Sequence, residues 1–561
     1  MQIKQNINYF LLFLISFFLS TCANQLPPGG GEIDLIPPEI IEVFPSNGTT
    51  NFMEEYFELG FSEYVDKRSV KDAIFISPAV EGNVELDWSG KYVRVNFPQK
   101  LKENVTYVVT IGTDVVDYNN KNRMAEAFSF TFATGANIDK KIISGKIYDS
   151  KPEDVMLFAY KINDADTINP AAHKPDYISQ AGRTGSYKIA GLAAGTYRIY
   201  AVADEFRDLL YQPDQDKIGM PYSEVTLSDT DTLFSNLNFF ITKVDTIKPR
   251  LLSAVMTDAN HILVNFSEEI DSTIISSQNF SLIDSVSNTI TKALYAFKGN
   301  TKPTEIVLAV NKKFDENSEV ILIVDTLRDR SGNVYLSDSS SVTLNYTPDT
   351  TRVGMFKTVP SGRMDKADFL YQKFYFYFND AFDSTLAKSG IAFKDTLGKF
   401  ISYNISFLDD ASLQIIPNQR LEPQKDYIIE FDLSKFKDAA GNSYDSLYQY
   451  KFKTISGLDF TGASGILLNV GLLRNPILVL EKIDGEKATY QKSPNENLQF
   501  NFERVEAGKY ILWSFLDEDS SGEYSYGSYF PFKPAEEFSF YPDTLELRPR
   551  WVQTDLKFLF K

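Results

Sequence analysis

A scheme of short alternating strands closed by one kind of turn recurs three times, and that recurrence narrows the fold more than any other feature of the chain. The first copy opens near Asp34, passes Pro45-Ser46-Asn47-Gly48 and Phe61-Ser62-Glu63, and closes with 107–111, the polar turn Asp117-Tyr118-Asn119-Asn120 and 127–132. The second runs from Asp245 through Phe266-Ser267-Glu268-Glu269 and 320–324 to Asp329-Arg330-Ser331-Gly332-Asn333 and 341–346. The third has Phe374-Tyr375-Phe376-Tyr377-Phe378, then 427–431, Asp438-Ala439-Ala440-Gly441-Asn442 and 448–452. Each copy is about 100 residues long, the size of one antiparallel sandwich whose two inner faces take the alternate apolar side chains. The Asp-to-Asn turn reads as the connection of a closing hairpin, with Gly332 and Gly441 free to take positive φ and Asp or Asn capping locally. Calcium at these turns is the alternative, but few acidic ligands lie together in sequence there.

A second scheme fills the remaining chain. Residues 137–243 contain Gly185-Ser186-Tyr187, then Gly191-Leu192, Ala194-Gly195-Thr196-Tyr197 and Asp204. The C-terminal region repeats it with 498–502, Val505-Glu506-Ala507-Gly508-Lys509-Tyr510 and Asp517. A strand, a glycine turn and a further strand predict a tight hairpin. Alternation places Tyr197 with Ile199 on one face, and Tyr510 with Leu512 on the equivalent one. An aromatic content of 14 % agrees with β structure throughout.

The proline-containing opening, the Phe-Ser-Glu segment and the Asp-x-x-Gly-Asn turn before a Phe-x-Phe strand resemble the bacterial Ig-like domain of S-layer and cell-envelope proteins. Copies 34–135 and 245–346 carry the pattern most fully, whereas 349–455 has Phe378-Asn379-Asp380 in place of Phe-Ser-Glu. The Gly-x-Tyr strand and the Leu/Val-x-x-Gly-x-Tyr segment of 137–243 and 457–561 resemble the carboxypeptidase regulatory-like, or prealbumin-like, β-sandwich. That resemblance implies an accessory fold without peptidase activity. The expected fold class is all-β, a tandem of antiparallel β-sandwich modules of these two kinds behind a lipoprotein signal peptide.

The amino terminus differs from the rest. Lys4 precedes the uncharged run 9–19, YFLLFLISFFL, and Ser20-Thr21 leads to Cys22. The run is shorter than the roughly 20 residues of a bilayer-spanning helix and suits a signal peptide at 1–21, a buried strand or short anchor being the alternatives. Leu19-Ser20-Thr21-Cys22 resembles the lipobox of bacterial lipoproteins, which implies cleavage before Cys22 and lipid on its thiol and new amino group. Cys22 is the only cysteine, so no disulfide forms within the chain, and lipid attachment explains an otherwise isolated thiol. Residues 22–33, with Pro-Pro-Gly-Gly-Gly, read as a flexible stalk. The expected location is the bacterial cell envelope, anchored by lipid to the outer membrane, with either face of that membrane open to it.

A formal net charge of −19 disfavours nucleic acid as a partner and leaves no basic patch for a membrane surface. Catalytic signatures are missing as well. His173 and His261 stand far apart with no metal-ligand spacing and read as surface or edge residues, and there is no Gly-x-Ser-x-Gly elbow. A carboxylate-based hydrolase survives only as an alternative, since acidic residues are numerous. The candidate metal site is the acidic loop 517–523, where Asp517, Asp519 and Glu523 present oxygens suited to calcium. It departs from an EF-hand in the positions of its glycine and glutamate. The comparable loop of the earlier copy has Asp214 and Asp216 beside Lys217, which opposes a cation. Tyr524, Tyr526, Tyr529 and Phe530 follow among glycines, and exposed aromatics of this kind anchor protein partners or stack on sugar rings. The expected function is therefore non-enzymatic, protein binding or surface assembly from a lipid anchor, with a glycan-binding or enzyme-accessory role in polysaccharide processing or transport as the alternative.

Overall fold

The structure, a computed structural model, describes residues 34–162, 168–245, 247–271, 275–361, 364–485 and 487–561. Cys22 and the segment around it lie outside the described residues. The alternating segments become strands whose apolar positions turn inward. In Phe374–Phe378, Phe374, Phe376 and Phe378 are fully buried while Tyr375 and Tyr377 point to the half-buried side. Each enclosed phenylalanine contributes about 1.5–3 kcal/mol relative to exposure. One sheet orders Met355–Val359, Phe374–Phe378, Ser412–Pro417 and Tyr403–Asp409. The other orders Met364–Ala367, Leu447–Thr454, Asp426–Asp432 and Ile391–Asp395. Between them lies a core in which Phe374 and Phe452 approach to 4.5 Å and Phe376 and Phe431 to 4.7 Å.

Residues 34–134 repeat this arrangement. Ile40–Phe44, Tyr56–Phe61, Tyr92–Asn96 and Glu85–Ser89 form one sheet; Ile74–Ser77, Thr106–Ile111 and Phe128–Ala133 form the other. Both sandwiches carry a short helix after their second core strand, Lys67–Asp72 capped by Asp66 and Ser384–Ser389 capped by Asp383. Residues 251–343 keep the strand order but join the two sheets into one of eight strands, because Leu251–Met256 pairs in parallel with Val334–Thr343. Gly332 and Gly441 both take φ of +89°, in turns where Gly332 N–H donates to the Asp329 carbonyl and Gly441 N–H to that of Asp438. The closing strands on either side of these turns are antiparallel partners.

The second scheme differs from the expectation in one respect. Ser186–Leu192 pairs with Lys141–Tyr148, whereas Gly195–Ala203 pairs with Met156–Ile162. Likewise Gln499–Val505 pairs with Thr461–Leu468, and Gly508–Leu516 with Pro476–Lys482. The glycine turn is thus a step from one sheet to the facing sheet, not a hairpin. The physical reason lies in the inward residues, since Tyr197, Ile199, Tyr510 and Leu512 are all fully buried and each sheet needs its own opposing strand to cover them.

The chain divides into two compact units, one of residues up to Leu210 with Ser223–Ile241, the other of Tyr211–Tyr222 with Thr242–Lys561. In the first unit, neighbouring sandwiches share a polar seam. Gln180 accepts from the Thr113 N–H at 3.1 Å and donates to the Glu153 carbonyl at 2.7 Å, while Arg123 pairs with Asp114 and Asp154. In the second unit, the Ala296 and Lys298 N–H groups donate to Asp410 and Asp409 at 2.8 and 3.1 Å, beside buried Phe297, Ala381 and Ala411. A second seam there is held by Arg504, whose guanidinium lies 4.3 Å from both the Phe369 and Phe460 rings and pairs with Asp368. Among the described residues no helix is long and apolar enough to cross a membrane.

Candidate functional sites

The acidic loop begins where Gly508–Leu516 ends. Asn475, in the left-handed region at φ 49°, donates to Asp517, and Asp517 is buried. Its two carboxylate oxygens also accept from Ser521 N–H at 2.9 Å and Gly522 N–H at 3.2 Å. Asp519 accepts from Ser521 N–H at 3.0 Å and from the Ser525 hydroxyl at 2.5 Å, bonds that hold its carboxyl below the usual range. The third acid in reach is Glu536, whose oxygens come within 4.8 Å of those of Asp517 and Asp519. Glu523 is not part of this group; its backbone N–H and carbonyl both bond the Ser521 hydroxyl. Burial pushes the Glu536 carboxyl upward, although it accepts from Glu518 and Ser525 N–H groups. Glu536 lies 17 positions beyond Asp519 in the numbering, across the small hairpin Ser528–Tyr529 and Phe532–Lys533, so loop spacing alone does not reveal it.

The four aromatics of this loop separate into two kinds. The Tyr524 ring meets Tyr526, Phe538, Phe515 and Trp513 at 5.0 to 6.1 Å, and burial raises its hydroxyl pKa well above the ordinary value. Tyr529 packs edge-on to Tyr211 at 4.9 Å. Tyr526 and Phe530 are the exposed pair, each 45 % accessible. Arg474 pairs with Glu518 and Glu537, which ties the turn Leu472–Arg474 to the acidic loop and sets Leu473, fully exposed, at the same end of the sandwich.

The histidines also separate. His173 is exposed, as expected. His261 is not a surface residue, being only 6 % accessible. Its Nδ1 lies 3.0 Å from Asp258 and its Nε2 3.0 Å from Asp380, which belongs to the next sandwich. Burial lowers its basicity but the two carboxylates prevail and raise its pKa to about 10, so the ring is an imidazolium at neutral pH. The nearest sequence signal was Asp380, the residue that replaces the glutamate of Phe-Ser-Glu.

The repeated motifs converge on a feature that no single stretch displays. The entry segment, the Phe-Ser-Glu position and the Asp-x-x-Gly-Asn turn each place one acid at the same end of a sandwich. Asp349, Asp380 and Asp438 present oxygens within 4.8 Å of one another, and so do Asp245, Glu268 and Asp329. In both, the turn asparagine reaches back: Asn442 donates to the Asp349 carbonyl and Asn333 to that of Asp245. Asn122 does the same to Asp34. There the acids Asp34 and Asp117 still push the Glu63 carboxyl upward, after burial, but their oxygens are not among those gathered within 4.8 Å in the described residues. Burial, then Asp245 and Asp329, raise Glu268 to about 7, and burial, then the neighbouring acids, raise Asp438. Several acidic groups in the chain are therefore arranged to hold a cation.

Residues 34–134 and 349–454 match the family model described as "Bacterial Ig-like domain". The match includes the copy that lacks Phe-Ser-Glu and does not extend to 245–346. The architecture is one of structural and adhesion domains rather than of catalytic folds. No curated protein matches the chain. Among solved structures, the N-terminal part of the bacterial S-layer protein SbsC aligns at 11 % identity over 37 % of this chain and 44 % of its own, with a TM-score of 0.17. SbsC domains 1–6 align at 9 % identity over 91 % of this chain and 67 % of that one, with a TM-score of 0.16. BcpA, the major pilin subunit of Bacillus cereus, aligns at 7 % identity over 76 % and 100 % of the two chains, with a TM-score of 0.14. Scores this low have no bearing on function. Two of the sandwiches, 34–134 and 349–454, are thus similar to the bacterial Ig-like domain, within a longer chain that is almost entirely antiparallel β-sheet.

Proposed function

We propose that the chain is a non-enzymatic, lipid-anchored protein of the bacterial cell envelope, held at the outer membrane, whose sandwiches present a surface for protein binding or assembly. The observation that carries this is the end of the last sandwich. Leu472 and Leu473, 42 and 103 % accessible, stand with exposed Tyr526 and Phe530 on loops joined by the Arg474–Glu518 pair. Exposed apolar and aromatic groups on a fixed polar frame are the usual composition of a protein contact. Cys22 supplies the anchor in this reading, and more than one acyl chain is needed for durable attachment. The residues 137–243 and 457–561 act as accessory prealbumin-like sandwiches. Extracellular modules bind calcium with Kd of about 0.1–1 mM, so calcium is the cation an exported chain would place among its carboxylates.

Metabolic labelling with a palmitate analogue tests the anchor: Cys22→Ser should lose the label and leave the membrane fraction, and retention of both would reject it. Capture of envelope proteins by the full chain, against a Leu473→Ser/Phe530→Ser variant, tests the surface. A cleft of about 450 Å³, lined by Asn260, Asn311, Asn345, Phe314 and Tyr346, favours the second reading, glycan binding. Binding to a glycan array that is lost in Tyr346→Ala would support it over protein assembly.

A further inference from the structure

We propose that Asp349, Asp380 and Asp438 together bind one calcium ion where the chain enters the 349–455 sandwich. This goes beyond the envelope role, since it depends on neither the anchor nor the exposed end of the last sandwich. The argument starts from an oxygen with nothing to hold it. Asp438 is only 7 % exposed; one carboxylate oxygen accepts from Asn442 N–H at 2.8 Å, and the other is buried with no hydrogen-bond partner. A buried carboxylate oxygen without a donor is costly, and satisfied acids are the rule in folded proteins. An oxygen each of Asp349 and Asp380 comes within 4.8 Å of an Asp438 carboxylate oxygen.

The surrounding bonds leave room for a cation. Asp380 uses one oxygen, Oδ1, for both His261 Nε2 at 3.0 Å and its neighbour Ala381 N–H at 2.7 Å. Asp349 accepts from Thr351 N–H on Oδ1 and from the Asn442 amide on Oδ2. Asp258 and Asp380 pair with the His261 imidazolium, an oxygen of Asp349 comes within 4.8 Å of the ring, and among the described residues neither Asp349 nor Asp438 pairs with lysine or arginine. Negative charge at this end is therefore left uncompensated. Calcium takes oxygen ligands at about 2.4 Å, so two of them on opposite sides of the ion lie at most roughly 4.8 Å apart. The oxygens of the three acids fall within that limit.

A similar grouping recurs at Asp245, Glu268 and Asp329, but there Glu268 is only half-buried and Asp245 is exposed. Glu268 Oε1 is buried without a partner, while Asp329 is occupied by Asn333 and Asp245 by Ile247 N–H and the Ser331 hydroxyl. In both groups the acids come from the entry segment, the end of the second core strand and the closing turn. A shared ion would tie the entry segment to its sandwich.

Calorimetric titration of the full chain with calcium, after chelation, tests this, with thermal unfolding as a second readout. Calcium should bind, and raising it to about 10 mM, roughly tenfold above the weakest Kd expected for such modules, should lift the unfolding midpoint by roughly 2–4 °C. Asp438→Asn should remove one bound equivalent and abolish the shift. Asp349→Asn provides a second route to the site should Asp438→Asn not fold, and Asp517→Asn should alter neither the calcium bound nor the calcium-dependent shift in midpoint. Absence of calcium binding to the wild type, binding unchanged in the folded Asp438→Asn variant, or binding lost only in Asp517→Asn would overturn the proposal. Magnesium binding as tight as calcium would overturn the assignment of the ion.

Discussion

The acidic loop after Leu516 and the carboxylate group around Asp438 are built from the same residue types and differ in where their donors come from. Asp517 and Asp519 sit within one turn, and backbone N–H groups, the Asn475 amide and the Ser525 hydroxyl fill their oxygens. Asp349, Asp380 and Asp438 arrive from segments far apart, so no local backbone curls around all three, and a buried Asp438 oxygen is left bare. An acidic stretch that is conspicuous in sequence can satisfy itself, because Asp and Asn readily bond the backbone a few residues on. Acids brought together by tertiary structure need an outside charge.

Among the described residues His261 is the cation that pairs with an acid of the second group, through Asp380, and removing it should have the largest effect. His261→Ala leaves Asp258 and Asp380 buried without their shared partner, for which loss of one member of a buried ion pair costs about 3–5 kcal/mol. Urea unfolding checks this, and the cost should shrink when calcium is present. Equal cost in calcium and in chelator would break the contrast, since the acids would then be balanced by His261 alone. Asp517→Ala should cost about 2–3 kcal/mol through its lost charged hydrogen bonds, with the same value in both buffers. A calcium-dependent cost would move the cation to the loop.

Asp438→Asn should act with the opposite sign. Without calcium it removes one of three mutually repelling acids and should stabilise the chain by about 1 kcal/mol. Denaturation in chelator measures this, and destabilisation there would show that the acids already have adequate donors. Tyr526→Ser should change stability by no more than about 0.5 kcal/mol, as its side chain is on the exposed edge of the aromatic cluster. Its effect should be confined to capture of a partner, and a large stability loss would place Tyr526 with Tyr524 as packing.

Much of the fold could be read along the chain. Phe374–Phe378 alternates by twos, and its three phenylalanines do face the core. Gly332 and Gly441 do take the positive φ their turns require. The glycine step before Tyr197 and Tyr510 was misread because a hairpin and a crossing between sheets have the same local pattern. Only the identity of the pairing strand separates them, and that strand is remote. Of the candidate sites, Asp517 and Asp519 were visible as a loop, but their third acid, Glu536, was not. His261 read as a surface or edge residue because its partner Asp380 belongs to another sandwich.

Alternation, turn chemistry and repeat length are local quantities, so the residues alone settle that the chain makes strands, how long they are and which side chains turn inward. They also set the repeated acid in each entry segment, strand end and closing turn. Whether those acids meet, and whether donors reach them, depends on how sheets stack and where loops from separate strands end. That was decided in three dimensions, where burial removes water from Asp438 and the electrostatic cost of its uncompensated oxygen appears.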